Sequence, residues 1–141
     1  MVSPDVYSTL PSVNSIRLLR LQSLVQDEPV SCSLIVVDQY ASGPEYHALS
    51  YCWGDANDTV ELICSGRPFQ VTKTLYAALR RLREKVPSQL VWADAICINQ
   101  EDVTERNQQL LIMKQIFLYA SRIFVWIGPG DEHSVPALNL I

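Results

Sequence analysis

The 141-residue chain carries 11 lysine and arginine residues against 15 aspartate and glutamate residues, which gives a formal net charge of −4. With 48% hydrophobic and 18% charged residues, its composition predicts one globular domain rather than a disordered chain. The acidic balance argues against a nucleic-acid binder, and no apolar run approaches the ~20 residues of a membrane span. Because the N-terminus also lacks a secretory signal, we expect a cytoplasmic protein that binds neither nucleic acid nor membrane.

The cysteines favour the same compartment. They are Cys32, Cys52, Cys64 and Cys97. Each lies in an apolar run and none forms a CxxC pair, so we expect reduced thiols in the core. The two histidines have no ligand-like spacing to them, and we therefore predict no metal site.

The first third of the chain predicts strands. Ile16–Leu21 is an apolar run interrupted by arginines, which is typical of an outer strand, and Ser31–Val37 is β-branched. Residues 47–53 predict a buried strand that ends at a glycine. Residues 60–71 predict a hairpin around the turn 65–68.

Two helices follow, each with a start signal. Thr72 is a candidate cap for a helix that ends before Pro87. Asp102 with Glu105 three positions later is a capping-box pattern that opens the second helix. Apolar residues cover more than one face of that second helix, which predicts packing on two sides.

Strands that alternate with helices favour parallel pairing. We therefore predict an α/β fold: a mostly parallel central sheet flanked by helices, with extra antiparallel N-terminal strands and a β-hairpin. The central parallel strands are expected near residues 47–53, 90–93 and 123–127. Residues 135–141 resemble the beginning of a helix, which suggests a fragment or a domain with a shortened last helix.

Two polar segments, 50–55 and 94–102, follow predicted parallel strands. Ligands of open α/β sheets bind beyond the carboxyl ends of such strands. The second segment leads into a helix N-terminus, so it could hold a ligand with hydroxyls or phosphates. Nucleotide-binding glycine motifs, a P-loop and a GxSxG elbow are all missing from the sequence. The residues therefore support a carboxylate-based site or no catalytic site.

Structural roles compete with each functional interpretation. Glu105 is where a capping box needs a carboxylate, and Arg106 could pair on the surface with Glu101 or Asp102. Asp94 could satisfy backbone N–H groups after its strand, and Trp53 could belong to the core. These alternatives stay open at the level of composition and spacing.

Several sequence blocks together resemble the fungal heterokaryon incompatibility (HET) domain. The blocks are YHALSYCWGD at 46–55, VWADAICINQ at 91–100, Glu105-Arg106 with Gln109 and Met113, and VWIG at 125–128. The resemblance covers residues 14–131. It predicts an N-terminal extension at 1–13 and a HET domain at 14–141, and it leaves open whether the C-terminus of that domain is truncated.

The resemblance implies an effector of fungal non-self recognition and regulated cell death. HET domains are also distantly similar to TIR domains, which are flavodoxin-like, and many of which cleave NAD⁺ at the nicotinamide–ribose bond. On that basis we expect the chain to be an NAD⁺ nucleosidase with Glu105 and Asp94 as catalytic carboxylates and no prosthetic group. The expected substrate-binding residues are Ser50, Tyr51, Trp53, Gly54, Asn99, Gln100, Arg106 and Gln109.

The alternative is a non-enzymatic signalling module that triggers cell death by self-association. TIR-like domains often assemble, so we expect a dimer or higher oligomer in either case, and other incompatibility or NLR-like proteins as further partners. Tyr40, Tyr46 and Phe69 fall on predicted loops or hairpin edges and are the expected interface aromatics.

Overall fold

The structure is a computed structural model that describes residues 6–22, 29–52, 54–85 and 90–126. The described elements are seven strands and three helices. In chain order they are β1 (Ile16–Leu21), β2 (Ser31–Val37), β3 (His47–Tyr51), β4 (Thr59–Cys64), β5 (Arg67–Thr72), α1 (Lys73–Lys85), β6 (Leu90–Trp92), α2 (Asp94–Cys97), α3 (Val103–Tyr119) and β7 (Arg122–Trp126).

All seven strands form one mixed sheet in the order β5-β4-β2-β1-β6-β3-β7. The α/β class is confirmed, and β3 is parallel to both β6 and β7, as predicted. The prediction of a mostly parallel sheet is wrong, because the long ladders β1–β2 and β4–β5 and the β1–β6 pair are antiparallel. The parallel trio also lies at one end of the sheet rather than at its centre.

The middle strand is β1, which the sequence placed at an outer position. Its residues Ile16, Leu18 and Leu19 are completely buried, and it pairs with β2 on one side and β6 on the other. Arginine was taken as a sign of exposure, but Arg17 is only 1% exposed because Glu105 neutralises it inside the protein. That buried charge pair is the physical reason for the error.

The predicted hairpin is present, with a tighter turn. Ser65 and Gly66 connect β4 to β5 with φ values of 51° and 81°. Positive φ at both central positions matches the right-handed twist of the two strands. The following helix α1 begins as expected, since the Thr72 hydroxyl accepts a hydrogen bond from the backbone N–H of Leu75 at 3.2 Å.

Helix α3 begins at the predicted cap, where the Asp102 carboxylate accepts the backbone N–H of Glu105 at 3.1 Å. The prediction that it packs on two sides is wrong. Leu111 is 81% exposed, and further large apolar side chains of the helix are exposed beside it. These are Val103, Leu110, Leu118 and Tyr119.

Two of the expected interface aromatics lie in the core instead. Tyr46 is 2% exposed, and its hydroxyl donates to the carbonyl of Ile116 in α3. Phe69 is 8% exposed and packs edge-on against Tyr7. Only Tyr40 of the three is outside the core, where it contacts the ring of Tyr119.

Tyr7, which lies in the segment 1–13 that the sequence assigned to an N-terminal extension, packs against the core. The Tyr7 hydroxyl donates to the carbonyl of Ile96 at 2.6 Å, and its ring lies under the Arg17 guanidinium. In the described part of the chain no helix is long and apolar enough to span a membrane.

Candidate functional site

Asp94 and Tyr51 come together beyond the end of β6. The parallel register places Ala48 opposite Trp92, the last residue of β6, so β3 continues three residues further. Tyr51, at its end, reaches Asp94 in the first turn of α2, and its hydroxyl lies 3.4 Å from the carboxylate Oδ1. Burial, then the Asp94 charge, raises the pKa of Tyr51, so the phenol stays protonated and donates.

Gln100 and Arg106 extend this polar edge. The Gln100 amide donates to the backbone carbonyl of Asp94 at 3.0 Å, and Arg106 donates to the carbonyl of Gln100 at 3.1 Å. Both side chains are half-buried. We call these four residues, Tyr51, Asp94, Gln100 and Arg106, the edge cluster. Its carboxylate and guanidinium are the charges that a polar ligand would meet here.

Glu105 belongs to a different, interior arrangement. Arg17 donates to both of its carboxylate oxygens, at 2.5 Å and 2.8 Å, in a bidentate pair. The backbone N–H of Asn99 adds a third bond at 2.7 Å. Side-chain exposure is 1% for the arginine and 10% for the glutamate. The three bonds tie β1, the loop after α2 and the first turn of α3 to one another.

Gln109 and Asn99 are part of the same interior. Gln109 is 1% exposed and donates to the backbone carbonyl of Ser15 at 2.9 Å. Asn99 shapes its own loop, since its side-chain oxygen accepts the backbone N–H of Glu101 at 3.2 Å. Gln109 acts as an internal brace between α3 and the residue before β1.

The remaining predicted residues lie near the exit of β3. Ser50 is half-buried opposite Val125. Gly54 has φ +68°, and a Cβ there would lie 2.6 Å from the hydroxyl of Thr74, which explains the glycine on conformational grounds. Trp53 lies outside the described residues. No group of three or more potential metal ligands occurs among the described residues.

The sequence interpretation missed Arg17 and Tyr7. Arg17 also donates to the backbone carbonyls of Cys97 and Ser8, at 3.2 Å and 2.6 Å, so it binds two further segments of the chain. The sequence of β1 held a signal for Arg17. Because β1 is apolar on both faces, an arginine within it would be buried and would need a buried counter-charge. The partner 88 positions away has no local signal.

Comparison with known proteins decides the family. The family model described as "Heterokaryon incompatibility protein (HET)" matches residues 46–141. The chain belongs to the HET family.

A relative of this HET-domain chain is "Heterokaryon incompatibility protein 6, OR allele" of Neurospora crassa, which is 36% identical over 134 residues. The match covers 84% of this chain and only 19% of the relative, so the chain spans about a fifth of that protein. No solved structure matches the HET-domain chain.

Proposed function

We propose that this chain is an effector domain of fungal incompatibility that hydrolyses NAD⁺ at the nicotinamide–ribose bond. Membership of the HET family and the name of the Neurospora crassa relative support the first part. The chemistry is carried by one observation: Asp94, a half-buried carboxylate, follows a parallel strand at the sheet edge where α/β proteins bind ligands.

The proposed reaction places few demands on the protein. Nicotinamide leaves as a neutral molecule when the bond from its ring nitrogen to C1′ of the ribose breaks. The ribose carries the developing positive charge, which the Asp94 carboxylate stabilises electrostatically. Water then adds to C1′ and releases one proton, so NAD⁺ and water give nicotinamide, ADP-ribose and H⁺.

The geometry supports Asp94 over Glu105 as the reacting carboxylate. Both oxygens of Glu105 are used by Arg17, and the Asn99 N–H adds a third contact. A carboxylate so engaged holds the fold and has little capacity left for a sugar hydroxyl. The other residues of the edge cluster have supporting roles in this proposal. Tyr51 orients Asp94, and Arg106 binds the pyrophosphate of NAD⁺.

The test is release of free nicotinamide from NAD⁺, measured by chromatography over a range of protein concentrations. We expect wild-type protein to release it and Asp94→Asn to lose at least ~100-fold of the rate, because the charge that stabilises the transition state is removed. Asp58→Asn is the matched control, since Asp58 is exposed and its carboxylate pairs with the surface residue Lys73. It should retain wild-type activity.

Two results would contradict the proposal. Full activity in a folded Asp94→Asn variant would remove Asp94 from the chemistry. Complete absence of nicotinamide release by folded wild-type protein at every concentration would remove the reaction itself and favour the second candidate.

That second candidate is a non-enzymatic module that signals by self-association. The observation that favours it is the apolar face of α3, by which we mean the exposed side chains of Val103, Leu110, Leu111, Leu118 and Tyr119, which alternate with as many exposed polar side chains. Lys114 is the one charged residue among the exposed positions of α3, which is described throughout. Two copies can therefore bring these faces together with little charge to desolvate, and a second copy is the occupant we assign.

A further inference from the structure

Cys32 and Cys64 are direct neighbours across two parallel strands. The register of β2 and β4 pairs their Cα atoms, and residues paired in this way project to the same face of a sheet. Parallel strands lie about 4.8 Å apart, which falls inside the Cα separation that a disulfide accepts. Both side chains are free thiols, 3% and 0% exposed.

The two thiols also interact with each other. The hydrogen bond between them, together with burial, raises the pKa of Cys32, whereas the same bond lowers the pKa of Cys64. Cys97 differs, because its burial raises the pKa to about 12 and its sulfur contacts the backbone of its own segment. The chemistry of the pair therefore favours Cys64 as the sulfur that loses its proton first.

The buried pair lies near the ends of its strands, because Cys32 is the second residue of β2. Cys64 is the last residue of β4 and precedes the turn at Ser65, whose N–H bonds to the carbonyl of Cys32 at 2.8 Å. Strand ends open locally at a lower free energy than strand centres. A small oxidant can reach these sulfurs through such an opening without unfolding the domain.

We propose that Cys32 and Cys64 form a reversible disulfide when the protein meets a peroxide. The Cys64 thiolate attacks one oxygen of hydrogen peroxide, which breaks the O–O bond and gives a sulfenic acid and hydroxide. The Cys32 sulfur then attacks the sulfenic sulfur and water leaves. In sum, two thiols and one hydrogen peroxide give one disulfide and two waters, with the sulfurs oxidised and the peroxide reduced.

The experiment is peptide mapping of native protein after exposure to hydrogen peroxide. Cysteines that remain free are blocked with N-ethylmaleimide under denaturing conditions, and the protein is cut after glutamate. Cleavage at Glu45, Glu61 and Glu84 separates Cys32, position 52 and Cys64 into the peptides 1–45, 46–61 and 62–84. A Cys52→Ser background removes the exposed thiol, which could otherwise give intermolecular links.

We expect a mass that corresponds to 1–45 linked to 62–84, which appears with peroxide and disappears after dithiothreitol. Cys97→Ser should leave this product unchanged, and Cys32→Ser should abolish it. Two results would overturn the proposal: recovery of both peptides as N-ethylmaleimide adducts, or oxidation of Cys64 to the sulfinic acid with no disulfide to Cys32. The pair itself is unaltered in the Cys52→Ser background, and Cys52 is exposed, so circular dichroism of that variant is expected to match the wild-type protein.

Discussion

Arg17 and Glu105 form a charge pair in the interior, and each would be costly to bury alone. We expect Arg17→Met to lower the free energy of unfolding by about 3–5 kcal/mol, because it leaves a buried carboxylate without its partner. Urea unfolding followed by circular dichroism measures the change.

The surface pair between Lys73 and Asp58 provides the matched control. Its members are 66% and 52% exposed, so Lys73→Met should cost less than about 1 kcal/mol. Equal losses for Arg17→Met and Lys73→Met would show that the interior pair does not stabilise the fold as we describe.

His47 gives the stability a dependence on pH. Burial, and then the nearby Arg122, lower the pKa of His47 below 6.5, against a smaller opposing effect of Glu45. Below the unfolded pKa the unfolded chain binds the proton more readily than the folded one, so His47 contributes stability above that pH that is lost as the pH falls. The unfolding free energy of wild-type protein should therefore fall relative to that of His47→Gln as the pH goes from about 7 to 5.

His133 is present in both proteins and cancels in this comparison. A difference between the two unfolding free energies that stays constant over the range would contradict the assignment.

At the level of single residues, local patterns in the sequence carried one kind of information. They identified Glu105, Asp94 and Asp102 as notable carboxylates, because each stands at the start of a helix or the end of a strand. They could not say which carboxylate is engaged internally. That depends on Arg17, whose bond to Glu105 spans 88 positions of the chain.

Among the elements, α3 offers the clearest test of a local signal. Asp102→Ala should lower the free energy of unfolding by about 1 kcal/mol, because the bond from its carboxylate to the Glu105 N–H is lost. Asp102→Asn keeps an oxygen acceptor and should retain most of that stability. Thermal or urea unfolding distinguishes the two, and an equal loss in both variants would mean that the charge rather than the cap matters.

Most elements were predictable because their hydrophobic patterns are long enough to read. The bounds of β1 and β2 agree with the prediction, and β7 and α1 agree within a residue or two. Helix α2 was missed, since four residues are too few to show a helical period. The exposed face of α3 was misjudged because apolar residues on several faces of a helix do not show which of those faces another element covers.

For the whole molecule, the apolar face of α3 predicts how copies would meet. We expect Leu111→Gln to reduce self-association at least ~10-fold without lowering the unfolding free energy, because Leu111 is 81% exposed and buries nothing in the monomer. Sedimentation velocity over a range of concentrations measures it. Val13→Gln is the control, since Val13 is 56% exposed and lies outside α3. An unchanged association constant for Leu111→Gln would show that this face is not the contact.

The order of the strands was beyond the reach of the sequence. Alternation of strands and helices correctly indicated an α/β domain and the parallel arrangement of β3, β6 and β7. It could not show that β1 pairs with β6, because the two are separated by about half the chain and no local pattern encodes a distant partner. The antiparallel contribution to the sheet was underestimated for that reason.

The central position of β1 has a consequence for synthesis on the ribosome. The ribosome makes β1 before both of its neighbours in the sheet. Strand β2 follows soon after β1, whereas β6 is made about 70 residues later. Until then a nascent chain presents an open backbone edge in the middle of its future sheet, with Arg17 lacking the carboxylate that neutralises it. An unpaired strand edge can pair with the strands of other chains. We therefore expect that slow translation of the segment between β1 and α3 increases the binding of chaperones to the nascent chain.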